Sequence, residues 1–261
     1  MNLSSILRCL IVFIVAWHVS PLSAAESTEA NYEPTTHYDD REILGWKIKL
    51  NRRLVKDEPA LCREVLREIE SQLYQITRVV PDEALAKLKK ITIWVELFEK
   101  NHPCAAYHPD AKWLVEHDLN PDKHRCVELA NAHNFVRWSL DQPWMILHEL
   151  AHGYHHQFLE NGFRNAAVHE TFEAATSDDR YGPVSHINGA EREHYAATNP
   201  MEYFAETSEA FFGTNDFFPY VRAELKTYDP AGYEMAEKCW GGRSSSRPKP
   251  KKSAEKTSSQ P

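Results

Sequence analysis

The sequence predicts an α+β domain with its strands early and its helices late. Two patterns carry that prediction: short apolar runs with strand periodicity before residue 100, and later stretches where apolar residues recur every three or four positions. Composition agrees with a globular body, since 42% hydrophobic and 26% charged residues over 261 positions are ordinary values.

In order, Trp46, Ile48 and Leu50 alternate with lysines, as in a half-buried strand. Residues 58–79 carry Leu61, Val65, Leu66, Ile69, Leu73 and Ile76 at helical spacing. Pro81 then opens a short helix, and Ile91–Leu97 reads as a buried strand. From Asn101 to Ala132 the chain is rich in His, Pro and Asp, so loops are expected, with a short strand near Val127. Asp141 as a cap and Pro143 in the first turn start a helix running to about Glu160, stopped by Asn161-Gly162. Further helices are expected near 164–177, from Pro200 to Phe212 before Gly213, and between Phe217 and Lys226.

Both ends fall outside this domain. Residues 1–25 read as a signal peptide: Arg8, a short apolar core over Cys9–Trp17, and a small-residue cleavage site at Ser23-Ala24-Ala25. That core is about half of the roughly 20 residues a spanning helix needs, so no membrane span is expected and the chain should be secreted or periplasmic. Residues 241–261 hold six Lys and Arg against one acid and no large apolar side chain, a disordered basic tail. The domain between, 26–240, carries 23 Lys and Arg against 37 Asp and Glu. So acidic a body is a poor partner for nucleic acid. A monomer acting on a peptide or protein is expected. Export also makes disulfides plausible, and four cysteines remain after the leader. The favoured pairs are Cys104–Cys126, closing a short loop, and Cys62–Cys239.

The chemistry lies in His148-Glu149-Leu150-Ala151-His152. Residues four apart share a helix face, so both imidazoles can converge on one metal ion, while Glu149 is placed to reach a water beside it. Zinc suits two neutral imidazoles plus a carboxylate. Three sources of a third ligand compete. An HExxHxxGxxH pattern fails, because His155 and Phe158 stand where Gly and His would be needed. An aspartate is offered by Ala175-Thr176-Ser177-Asp178-Asp179-Arg180-Tyr181-Gly182, which is close to the aspzincin segment, with Asp178 in the ligand place. A glutamate on a second helix is offered by Glu202 or Glu206, four apart on one face.

With Tyr195-Ala196-Ala197-Thr198-Asn199-Pro200-Met201-Glu202-Tyr203-Phe204-Ala205-Glu206 following the HExxH helix, residues 143–213 resemble the gluzincin catalytic domain of anthrax lethal factor and its relatives. They also resemble small secreted proteins, some fungal, with a similar NPMEYFAE block. The resemblance implies a zincin-like metallopeptidase fold and one zinc per chain. It makes His148, His152 and Glu202 the ligands and Glu149 the general base. It also implies that Glu206 supports a liganding histidine and that Tyr195 donates a hydrogen bond in the transition state. The competing reading is a catalytically silent zincin-like binding protein. His155 and His156 are expected at the surface, and His186 and His194 are candidates for the cleft wall.

Overall fold

A computed structural model describes residues 32–242, all within one unit of the chain. The expected leader, its cleavage site and the tail beyond residue 242 lie outside the described residues. Two antiparallel strands open the fold, β1 (Tyr38–Ile43) and β2 (Trp46–Asn51), joined through Leu44 and Gly45. Both turn residues take positive φ, 51° and 88°, the conformation a two-residue hairpin needs and one that favours glycine at the second position. Sequence periodicity missed β1, because its centre is Asp-Asp-Arg-Glu; it is an edge strand whose charges discourage further pairing.

Helices α1 (Arg52–Asp57), α2 (Pro59–Val79) and α3 (Asp82–Leu88) lead back to β3 (Ile93–Val95), which runs parallel to β2. Next come β4 (Ala105–Tyr107), α4 (Ala111–Glu116) and β5 (Val127–Leu129). The sheet order is β1-β2-β3-β5-β4, with β5 parallel to β3 and β4 antiparallel at the far edge. Leu61, Val65, Ile69, Leu73 and Ile76 of α2 share one buried core with Ile48, Leu50, Ile93, Val95 and Val127 of the sheet.

After α5 (Ala132–Trp138), the HExxH segment forms α6 (Met145–Phe158). Helix α7 (Ala166–Ser177), a hairpin of β6 (Pro183–Ser185) and β7 (Glu191–Glu193), then α8 (Pro200–Phe212), α9 (Arg222–Tyr228) and α10 (Pro230–Trp240) complete the chain. The late hairpin and α10 were not foreseen, and the helix expected from Phe217 begins only at Arg222. Asp141 does not cap α6. A side chain from α2 does instead, as the Ile146 N–H donates to Gln72 Oε1 at 3.0 Å, a partner 74 positions away that local spacing cannot reveal.

Helix α6 is the centre of the fold. It packs on α2, α3, β4 and β5, and along its other side on α8. Two glycines permit these approaches. At Gly153 an added Cβ would stand 2.6 Å from Ile91 Cδ1 and 3.1 Å from Tyr107 Cε2, between α6 and the sheet. At Gly213, where α8 ends, it would stand 1.9 Å from Trp144 Cε2, on the residue preceding α6. An indole ring cannot yield as a flexible side-chain end can. We therefore expect Gly213→Ala to cost about 3 kcal/mol through overpacking, read as a lower denaturant midpoint at unchanged m-value.

The cysteine pairing needs correction: among the described residues Cys62, Cys104, Cys126 and Cys239 are all unpaired. Cys104 and Cys126 flank opposite ends of the β4–β5 ladder, as Ala130 N–H donates to Cys104 O while His108 N–H donates to Cys126 O. Cys104 Sγ instead lies 3.4 Å from Met145 Sδ, and Cys126 Sγ faces the backbone of its own loop. Cys62 belongs to α2, which packs on α1, α5 and α6, whereas Cys239 belongs to α10, which packs on α7, α8 and α9. Among the described residues no helix is long and apolar enough to cross a membrane.

Candidate metal centre

Helices α6 and α8 bring three of the expected ligands together. Glu202 Oε2 lies 3.1 Å from His148 Nε2 and 3.2 Å from His152 Nε2, and one ligand atom from each of the three falls within 4.8 Å of the others. Zinc bonds of about 2.0–2.2 Å at tetrahedral angles separate ligand atoms by roughly 3.3–3.5 Å, close to this spacing. The donor set therefore fits zinc in both chemistry and separation.

Local sequence explains why Glu202 arrives there. Asn199 caps α8, its Oδ1 accepting from the N–H groups of Met201 (2.9 Å) and Glu202 (3.0 Å), and Pro200 occupies the first turn. Burial alone would raise the Glu202 carboxyl, but hydrogen bonds and charge from His148 and His152 outweigh it and hold the group far below the usual carboxylate range. Burial likewise opposes charge on His148, yet Glu202, Glu209 and Glu206 raise it well above an ordinary histidine.

Sequence reasoning names Glu206 as the carboxylate behind a liganding histidine. The structure gives that place first to Glu209, whose Oε1 is 2.7 Å from His148 Nδ1, while Glu206 Oε1 is 3.5 Å away. The signal was present, since 202, 206 and 209 follow the i, i+4, i+7 pattern of one helical face, but the block resembling gluzincins ends at 206. Burial, backed by the charge of Asp216, pushes both carboxyls up; among the described residues Glu206 Oε2 has no hydrogen-bond partner. A carboxylate on Nδ1 fixes the imidazole tautomer that leaves Nε2 free to bind a metal. Replacing Glu209 by Ala should weaken zinc binding 10- to 100-fold, measured by competition with a chromogenic chelator, and more than Glu206→Ala does.

Glu149 is buried, lines the cleft and has no hydrogen-bond partner among the described residues. Burial pushes its carboxyl up, with His148 and His152 opposing. Tyr195 is half-exposed at the cleft, its ring centroid 6.2 Å from that of His148. It begins a short 3-10 turn over Tyr195–Ala197, which His194 caps by accepting the Ala196 N–H at 3.1 Å. That bond needs a neutral ring, and burial lowers the His194 pKa to about 3. Thus His194 supports the turn from beneath, while His186 reaches the cleft wall and lies 3.4 Å from Asp216.

Asp178 is not brought to the histidines. It sits beyond α7 with its carboxylate 2.6 Å from Arg180 Nη2, and it does not line the cleft. Arg180 and Tyr181 bind Asp229, the buried cap of α10, so this segment is committed to the fold. His155 is also corrected. It is fully buried between Phe163 and Phe204, neither ring nitrogen has a hydrogen-bond partner among the described residues, and burial lowers its pKa to about 3.

The cleft measures about 610 Å³ and is bordered by β4, the base of α6, the start of α8 and the β6–β7 hairpin. A further His/Glu group, His102, His108 and Glu128, lies beside it. Its carboxylate is already bound by the buried Lys123 ammonium and by His108 Nε2 at 2.6 Å, so it serves as an ion-pair network under β4 and β5. No family model, curated protein or solved structure matches this chain.

Proposed function

We propose that the chain is a zinc metallopeptidase of gluzincin type. The observation that carries this reading is the convergence of His148, His152 and Glu202 on one point, with an unpartnered Glu149 carboxylate beside it. A zinc ion held by those three residues would supply a Lewis acid that polarises a carbonyl and lowers the pKa of a water. Glu149 takes a proton from the attacking water and returns it to the leaving amine; its raised pKa, from burial, suits both halves of that exchange. The Tyr195 hydroxyl, held protonated by burial and the surrounding carboxylates, donates to the oxygen on which charge develops. Glu209 and Glu206 keep His148 oriented.

A peptide substrate is supported by the sheet edge. Among the described residues strand β4 pairs only with β5, so its other edge borders the cleft free to hydrogen-bond an extended chain. The test is metal analysis of the purified protein together with cleavage of an unstructured protein with and without chelator. We expect about one zinc per chain and chelator-sensitive cleavage. Zinc without cleavage would favour the silent binding protein, and a metal-free stable fold would overturn the assignment.

A further inference from the structure

Histidines apart, the ionisable side chains that line the cleft are acids with one exception among the described residues. Glu149, Glu202, Glu206, Glu209 and Asp216 line it, and one permanent cation does, Arg192. Arg192 occupies the middle of β7, paired across the hairpin with Val184 of β6. Side chains alternate along a strand, so Arg192 and Val184 share one face while Glu191 and Glu193 take the other. Val184 is buried, which makes that shared face the inward one. Arg192 nevertheless remains exposed on it.

The hairpin is no loose flap. Ile187 N–H donates to Asp216 O at 2.7 Å, Phe218 N–H to Ser185 O at 2.9 Å, and the Tyr220 hydroxyl to Ser185 O at 3.0 Å. The guanidinium is thus presented from a wall anchored to the segment after α8. Among the described residues it has no hydrogen bond, ion pair or ring contact. The other arginine and lysine side chains near buried carboxylates are paired, as Arg180 is with Asp229 and Lys123 with Glu96 and Glu128. A planar five-donor group left unpaired at the mouth of a cleft is suited to a carboxylate supplied by a ligand.

We propose that Arg192 is a specificity determinant that binds a carboxylate of the peptide substrate close to the scissile bond. The inference rests on the metallopeptidase reading and sharpens it. The net-acidic domain repels an acidic peptide at long range, so a single guanidinium on the wall selects the position of a carboxylate more than it draws the peptide in. The carboxylate can come from an Asp or Glu side chain or from a free C-terminus, and recognition is the same for both.

The test uses the zinc-loaded protein and matched peptides that differ by Glu against Gln at each position around the cleavage point, each with a free or an amidated C-terminus. With the wild type, one position, or the free terminus, should raise kcat/KM about tenfold or more over its neutral counterpart, the scale of one charge-assisted pair. Arg192→Ala should abolish that ratio while zinc content and turnover of the neutral peptide stay unchanged. Arg192→Glu should turn the preference toward Lys at the same position, a reversal that mere damage to the hairpin would not produce. A position-dependent ratio locates a side-chain carboxylate, and dependence on the free terminus locates a terminal one. A wild type indifferent both to Glu against Gln at every position and to a free against an amidated terminus, or a preference that survives in Arg192→Ala, would overturn the proposal alone. Absence of any cleavage by the zinc-loaded wild type would overturn the metallopeptidase reading with it.

Discussion

Changing Glu149 to glutamine is expected to lower peptide hydrolysis by about 10³-fold while the zinc content stays at that of the wild type. The two outcomes separate because the Glu149 carboxylate makes no hydrogen bond to the three ligands or to the rest of the fold among the described residues. Its carboxylate has no hydrogen-bond partner among the described residues, although the side chain is 8% exposed and lies along the cleft. Burying an acid without a hydrogen-bond partner costs stability when it ionises; burial has raised its pKa, and a neutral amide of the same shape removes the cost of that charge. Glu149→Gln should therefore be at least as stable as the wild type toward heat. A loss of activity that came with a lower melting temperature would point to packing. Retained turnover in a folded, zinc-loaded variant would remove Glu149 from the mechanism.

How much of this was legible beforehand divides along local and non-local lines. Helices α2 and α8 are legible with their boundaries nearly in place, α2 from its apolar spacing and α8 from Pro200 at its start and Gly213 past its end. The pairing of His148, Glu149 and His152 needs only helical spacing, so it too was legible. The short strands were harder. Strands β4 and β7 are three residues each, and nothing in Ala-Ala-Tyr or Glu-Arg-Glu shows a period of two; their hydrogen-bond partners define them. Long-range substitutes for local devices were also hidden, as with Gln72 capping α6 in place of Asp141. His155, which extends the helix beyond the HExxH motif, is expected at the surface, yet the α6–α8 interface and Phe163 enclose it from both sides. Cysteine pairing failed for a related reason, since an even count says nothing of which ends of a ladder two thiols occupy.

Removing the Glu202 carboxylate should empty the centre. In Glu202→Ala we expect zinc to be lost on dialysis against micromolar chelator under conditions that leave the wild type loaded, with affinity falling by more than the 10- to 100-fold that an outer partner such as Glu209 is worth. The argument is geometric. A single oxygen, Oε2, stands 3.1 Å from one imidazole and 3.2 Å from the other, so the same atom closes the triangle for both histidines, and no neighbouring carboxylate replaces it. Glu206 and Glu209 approach His148 from its Nδ1 side and would have to cross the ring to reach the metal-facing nitrogen. Asp178 is held by Arg180, so Asp178→Ala should leave zinc content as in the wild type. Because a ligand that binds only the native state stabilises it by mass action, zinc at a hundredfold excess over its dissociation constant should raise wild-type stability by about 2.7 kcal/mol and leave Glu202→Ala unmoved. If Glu202→Ala retained full zinc and its thermal response to zinc, the third ligand would have to come from elsewhere, and the contact between α6 and α8 would be a matter of packing alone.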